Sequence, residues 1–391
     1  MFEIIIYILL ILSLIYGFYF LIMASGVFRK KKCEIDNNKK NHFAILIAAR
    51  NEETVIKNLI NSLKKQNYPS NKYDVYVIVN NCTDNTLEVA KNAGAKIIEC
   101  KQKVKSKGEV LKYTFNKLKS NDEIDAYVIF DADNVVHREF LNKMNDSINC
   151  GYEVVQGFRD TKNICDNWLS TSYAILYYLQ SLFINKSRFN FGMSSFLNGT
   201  GFMVKKETID RYGYDPKTIT EDIEYTAICA INGIKIAFNE NAITYDEQVT
   251  DFKSSLKQRK RWSFGAIQCL KNYTGSLIKE GIKNKRFECF DVIIFYFGII
   301  FHVLFTIVSL IGIFYNVFYL NNFNSMDVVI YFIMFLINYF IGVVFRMIVI
   351  KKCNKSIKGN KQRVSCYLAL YEGSKSIPDT ENRRKISCLQ V

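Results

Sequence analysis

The hydrophobic and polar positions of this chain follow two regimes. Three long apolar runs stand near its ends: Ile4–Phe28, Val292–Ser325 and Val328–Ile350. The first has no charged residue, and each is longer than the roughly 20 residues needed to cross a bilayer as a helix. Arg346, the one charge in the third run, lies within a turn of its end and can snorkel to the interface. The first run is too long for a signal-peptide core and lacks a basic leading segment, which predicts a retained helix. Between the runs, short apolar segments alternate with amphipathic ones. Phe43–Ala48, Asp74–Val79, Lys96–Ile98 and Asp125–Phe130 predict strands. Glu53–Gln66, Thr83–Ala93 and Gly108–Leu118 predict helices. Continuously apolar strands alternating with helices predict an α/β domain with a mainly parallel sheet covered on both faces.

Such sheets bind ligands at the carboxyl ends of their strands. The polar residues gather there. Arg50-Asn51-Glu52-Glu53 follows the first strand, Asn80-Asn81-Cys82-Thr83-Asp84 the second, and Asp131-Ala132-Asp133 the strand ending at Phe130. One such loop could be no more than a helix cap. Three in register predict a crevice. Two carboxylates one residue apart suit a hard divalent cation, which takes oxygen ligands and often shares them with phosphates.

Charge then sets the topology. The net charge is +15, and the basic residues flank the apolar runs: Arg29–Lys32 follows the first, and Lys351–Arg363 follows the third. Charge beside apolar spans is a topology and lipid signal, which argues for a lipid bilayer as partner and against nucleic acid. The positive-inside rule places residues 29–290 and the tail in the cytoplasm and the loop around Leu320–Asp327 outside. The eleven cysteines show no Cys-x-x-Cys spacing. They predict free thiols in a reducing compartment, with no zinc site.

The motifs, taken in order, resemble the membrane-embedded family 2 glycosyltransferases with a GT-A fold, the group of cellulose, hyaluronan and poly-N-acetylglucosamine synthases. The matching residues are Ala49-Arg50-Asn51-Glu52-Glu53, Asn81-Cys82-Thr83-Asp84, Lys105-Ser106-Lys107-Gly108 and Asp131-Ala132-Asp133. Gly199-Thr200-Gly201, Thr220-Glu221-Asp222 and Gln258-Arg259-Lys260-Arg261-Trp262 complete the set. The resemblance implies a Rossmann-like GT-A domain over residues 29–250 and interfacial helices carrying Gln-x-x-Arg-Trp over 251–290. It sits between one transmembrane helix, 1–28, and two more within 291–350, followed by a basic cytoplasmic tail, 351–391.

The implied reaction is inverting transfer from a UDP-sugar, N-acetylglucosamine first among candidates, with Mg²⁺ or Mn²⁺. Asp222 would be the general base and Asp133 the metal ligand. Ala49, Asn51, Glu52, Asn80, Lys107, Asp131, Gln258, Arg261 and Trp262 would bind the donor. Gly199, Thr200, Gly201, Glu221 and Trp262 would face the acceptor, a growing polysaccharide or other glycan. Apart from the resemblance, Asp246-Glu247-Gln248 follows a short strand and reads first as a solvated loop, with contact to the metal or the acceptor path as the other reading. The chain departs from the family pattern at Asn80, where an acid usually contacts uracil; its amide oxygen still accepts from an imide N–H. Two other readings stay open: single addition to a lipid-linked acceptor, and a catalytically inactive nucleotide-binding scaffold.

Overall fold

Six of the seven residues of Phe43–Ala49 are buried, so this strand needs covering on both faces and pairing on both edges. The computed structural model describes residues 2–31, 39–164 and 166–298. Helix α1 (Phe2–Ser25) comes first. Strands β1 (Phe43–Ala49), β2 (Tyr73–Val79), β3 (Lys96–Glu99) and β4 (Ala126–Asp131) alternate with α2 (Ile56–Lys64), α3 (Thr86–Asn92) and α4 (Lys107–Leu118). Next come β5 (Val135–Val136), α5 (Phe140–Asn149), β6 (Val154–Thr161) and α6 (Trp168–Leu179). A π-helical stretch, Gln180–Lys186, then runs into α7 (Ser187–Asn190). The order continues with β7 (Phe202–Lys205), α8 (Lys206–Tyr212), α9 (Glu221–Asn232), β8 (Ile236–Asp246) and α10 (Phe252–Lys283). A further helix begins at residue 287 and is described to 298. The later apolar runs beyond 298, the loop between them and the basic tail lie outside the described residues.

The strands form one eight-stranded sheet in the order β3-β2-β1-β4-β7-β6-β8-β5. The half built on β1 is parallel, as its apolar runs predict. The other half is mixed: β7 runs antiparallel to both β4 and β6, β8 is parallel to β6, and β5 is antiparallel to β8. Successive residues of β1 serve opposite faces. Phe43, Ile45 and Ile47 pack with Ile56, Leu59, Ile60 and Leu63 of α2 and with Phe140 of α5. Ala44 and Leu46 join the cluster of Val110, Leu111 and Phe115 from α4 and of Tyr225 and Cys229 from α9.

Among residues described to the side chain, no helix is long and apolar enough to cross a membrane. The end of α1 docks onto the domain. Ser187 Oγ donates to Ala24 O at 3.1 Å, and Asn190 Nδ2 donates to Gly26 O at 3.0 Å and to Arg29 O at 2.8 Å. A buried ion pair, Arg188 with Asp291, ties α7 to the helix that begins at residue 287. Cys82, Cys100, Cys229, Cys269 and Cys289 are free thiols. Cys150 corrects the expectation of free thiols throughout: it stands in a disulfide whose partner is outside the described residues.

A 32-residue helix, α10, carries Gln258 to Trp262. It lies across the start of α9, and Gly265 is what lets it approach. A Cβ there would sit 2.0 Å from Thr220 Oγ1. In an exposed helix, Gly→Ala is worth about 1 kcal/mol of stability. At 265 the steric conflict reverses that sign, since overpacking costs about 1–3 kcal/mol and moves backbone. Gly265→Ala is therefore expected to melt earlier than wild type, by circular dichroism. It should also lose up to about 10²-fold in turnover, because α10 shifts against the site.

Candidate active site

The three predicted loops do converge at the carboxyl edge of the parallel strands. Asn51 adopts a left-handed conformation (φ 59°), a state Asn tolerates, and this turns the chain toward the second loop. Its Oδ1 accepts from Thr83 N at 2.8 Å, and Glu52 N donates to Thr86 Oγ1 at 2.8 Å. Glu53 closes the loop pair, with its N–H on Asp84 Oδ2 at 3.2 Å and its Oε2 accepting from Asn85 N at 2.9 Å. Ala49 is buried and contributes its carbonyl, which accepts from Asn80 N at 3.2 Å. Asn80 Nδ2 donates to Cys100 O at 3.2 Å and to Gln102 O at 3.5 Å. A carboxylate could make neither bond, so this loop is built for an amide at 80.

Lys107 stands at the centre. Ser106 caps α4, its Oγ accepting from Glu109 N at 3.2 Å, and this fixes Lys107 in the first helical turn. Lys107 Nζ donates to Asp131 Oδ1 and, at 2.7 Å, to Gly199 O. Burial alone would lower its pKa, but Asp131, Glu221 and Asp222 outweigh that and raise it, so it is a fixed cation. Gly199 turns at φ +81°, and a Cβ on it would lie 3.2 Å from Asp222 Oδ2, so the Gly199–Gly201 loop borders the start of α9. Thr200 is fully buried. Its Oγ1 accepts from Asp131 N at 3.0 Å and donates to Asn134 Oδ1. Thr200 thus holds the loop to β4 and presents no side chain to an acceptor. Gly201 joins the sheet, its N–H on Ile129 O and its carbonyl taking Gly157 N, both at 2.9 Å.

The carboxylates here are held away from their ordinary behaviour. Burial, then Asp246 and Asp131, pushes Asp133 up to about 8 against Lys162 and Arg159. Burial raises Asp222, and it pushes Glu221 up to about 7, with Lys107 opposing and Asp222 adding. Glu52 is raised by burial, then by Asp131, Asp84 and Glu247. Crowded acids of this kind fit a divalent cation, which would relieve their repulsion. Among the described residues no three His, Cys, Asp or Glu side chains form a complete metal cage. One or two carboxylates completed by ligand phosphates is how Mg²⁺ is commonly held, so Asp133, with Asp131 close by, suits that role.

A base raised by burial gives a pH test. The acid limb of kcat/KM is expected above the usual carboxylate range. Activity should fall as the pH drops through it, because the protonated acid cannot accept a proton. A limb near pH 4 in initial rates from pH 4 to 9 would exclude this pair as the base.

The Gln-x-x-Arg-Trp motif sits on α10. Trp262 packs edge-on against Tyr173 and Tyr177 of α6, at centroid distances of 6.0 and 6.4 Å. Arg261 is exposed and Gln258 partly so, and among the described residues neither is committed to another side chain. They stay available to a ligand, but the structure does not bring them into contact with Lys107 or Asp131. Two residues absent from the sequence reading are part of the site: Asn134, fully buried, and Arg159, paired with Asp246. Asn134 carried one signal, its position next to Asp133. Arg159 carried none.

A Rossmann-like sheet with an Asp-x-Asp pair, a central lysine and buried acids at a helix start defines a GT-A glycosyltransferase domain. The chain belongs to the family described as glycosyltransferase like family 2, which matches residues 40–265. A probable glycosyltransferase of Bacillus subtilis, YdaM, is 24% identical over 283 residues, 66% of this chain and 64% of that protein. A β-monoglucosyldiacylglycerol synthase of Synechocystis is 24% identical over 59% of this chain and 48% of its own length. The match thus spans about half to two thirds of these relatives. Among solved structures, a mannosyltransferase from Pyrobaculum calidifontis, in complex with GDP-mannose and Mn²⁺, superposes with a TM-score of 0.54 at 13% identity. That match covers 70% of this chain and 76% of the other, and it shows the fold.

Proposed function

We propose that this protein is an inverting membrane glycosyltransferase. It takes a sugar from a UDP-sugar on the cytoplasmic side and adds it to a growing polysaccharide or other glycan. N-acetylglucosamine is the first candidate sugar. The observation that carries the reading is the bridge from Lys107 to Asp131 and to the Gly199 carbonyl, with the Glu221–Asp222 pair beside it. A cation there would neutralise a diphosphate, and a base there would deprotonate an acceptor hydroxyl. Mg²⁺ or Mn²⁺, held by Asp133, would supply further charge neutralisation on the leaving diphosphate.

Lys107 steadies the phosphates and orients Asp131. Asp222 takes the acceptor proton as the hydroxyl attacks opposite the leaving group. Arg261 and Gln258 reach toward the donor from α10, and Trp262 offers a flat wall near the acceptor. Exposed Ile8, Ile11, Ile15 and Phe18 on α1 support attachment to a bilayer. So do the basic residues that follow it. Labelling of single cysteines in intact cells is expected to reach positions 321–325, and labelling only after permeabilisation would refute the orientation.

A second reading, single transfer to a lipid-linked acceptor, is favoured by the name of the Synechocystis relative. Mass spectrometry of products from a panel of UDP-sugars with a membrane lipid extract separates the two. One added hexose-type mass on a lipid supports the second, and a ladder of additions supports the first. No transfer from any donor would refute both.

A further inference from the structure

Asp246 ends β8 beside the Asp133 carboxylate, with partners that donor binding does not require. Arg159 Nε donates to Asp246 Oδ2 at 2.7 Å, and Arg159 Nη2 donates to the same oxygen. Gln248 Nε2 adds a bond to Oδ2 at 3.1 Å. Asn134 Nδ2 lies 3.0 Å from Asp246 Oδ1 and 3.2 Å from Asp133 Oδ1, so a single amide nitrogen stands between the two acids. Arg159 is itself fixed. Nη1 donates to Asn198 O at 3.0 Å, and the guanidinium lies 3.8 Å from the centre of the Tyr177 ring.

Asn134 is 0% and Asp246 2% exposed. Two acids this close and this buried would both attract a divalent cation. They are not equivalent, however. Asp246 has its charge cancelled by a planar guanidinium and most of its acceptor capacity filled. Asp133 takes one bond from Asn134 to its side chain; Lys162 Nζ donates at 2.6 Å to its backbone carbonyl instead.

We infer that Arg159 and Asn134 are positioning residues that keep Asp246 out of the cation's coordination, leaving Asp133 as the carboxylate that meets the metal–diphosphate. The inference rests on the metal-dependent donor reading above. Its consequence is a site that grips the cation weakly enough to let it leave with the nucleotide. Freeing Asp246 would add a second buried charge, tighten the cation and slow release of the product diphosphate. Charges a few ångströms apart in a partly buried site couple strongly enough for about a tenfold change in affinity or more.

The test is Mn²⁺ binding to the full-length chain in detergent with UDP, followed by electron paramagnetic resonance. Folding is checked by circular dichroism, and kcat and donor KM are measured alongside. Arg159→Gln is expected to bind Mn²⁺ at least about tenfold more tightly and to lower kcat without raising donor KM. Arg159→Gln with Asp246→Asn restores the charge balance and is expected to bind Mn²⁺ within about threefold of wild type. Weaker or unchanged binding in folded Arg159→Gln would overturn the inference.

Where Arg159→Gln does not fold, the double variant decides, since it removes both charges and leaves neither unpaired. A large loss of Mn²⁺ affinity there would mean that Asp246 is a ligand. Wild type that binds no Mn²⁺ would overturn the metal reading, and this inference with it. Wild-type binding with a failed double variant overturns this inference alone.

Discussion

Asp222→Asn is expected to bind UDP normally and transfer sugar about 10²–10⁴-fold more slowly, the range a positioned general base contributes. An acceptor hydroxyl is a weak nucleophile near neutral pH, so its proton must leave as it attacks. Asp222 lies in the first turn of α9, beside Gly199 and within the field of Lys107. The alternative role is plain helix stabilisation, in which a first-turn acid is worth roughly 0.3–1 kcal/mol through the helix dipole. The two accounts part on stability. The folded-state pKa of Asp222 is raised by burial, so its ionised form opposes folding above the ordinary carboxylate range. A neutral Asn removes that penalty. The variant should melt no earlier than wild type at pH 8, and any gain should shrink as the pH falls toward the carboxylate range. A slow, equally stable enzyme identifies the base. Near-normal turnover would move the role to Glu221.

The other large effect is expected at Asp133. Asp133→Asn should lower turnover by roughly 10²–10³-fold or more, comparable to loss of a group that stabilises transition-state charge. The amide is nearly isosteric and keeps an oxygen for Asn134, so the loop should hold. What it loses is the negative charge that would hold a cation against the diphosphate. Excess EDTA should reproduce the loss in wild type, and added Mn²⁺ should restore wild type but not the variant. Full turnover in EDTA would assign the Asp131–Asp133 loop a structural role.

The parts of the molecule that the sequence made legible are those where one physical rule dominates. β1, β4 as far as Phe130 and the second half of β2 are continuously apolar because both of their faces are buried, and each ends where its polar loop begins. The short acidic and basic motifs lie at those ends, so their convergence followed from the topology. The mixed half of the sheet was harder. β6 carries Gln156, Arg159 and Asp160 among apolar residues, a mixture without clear strand periodicity. Arg159 is half-buried and pairs with Asp246, distant in sequence, and no local pattern encodes such a pairing. The resemblance placed Thr200 on the acceptor side, but its hydroxyl is consumed by Asp131 and Asn134. Asp166–Ser187, rich in Tyr, Leu and Ile, reads in the sequence as one long amphipathic helix, but its π-helical stretch is not legible there, since a wider turn leaves no signature in hydrophobic spacing.

The stereochemistry of transfer tests the central claim most directly. A single displacement at the anomeric carbon, assisted by one base, inverts configuration. The purified full-length chain, given an α-linked UDP-sugar, Mn²⁺ and its acceptor, is expected to release UDP and form a β-linked product, read from the anomeric proton coupling by NMR. An α-linked product would contradict the account, because it requires a mechanism in which Asp222 is not the base for direct attack.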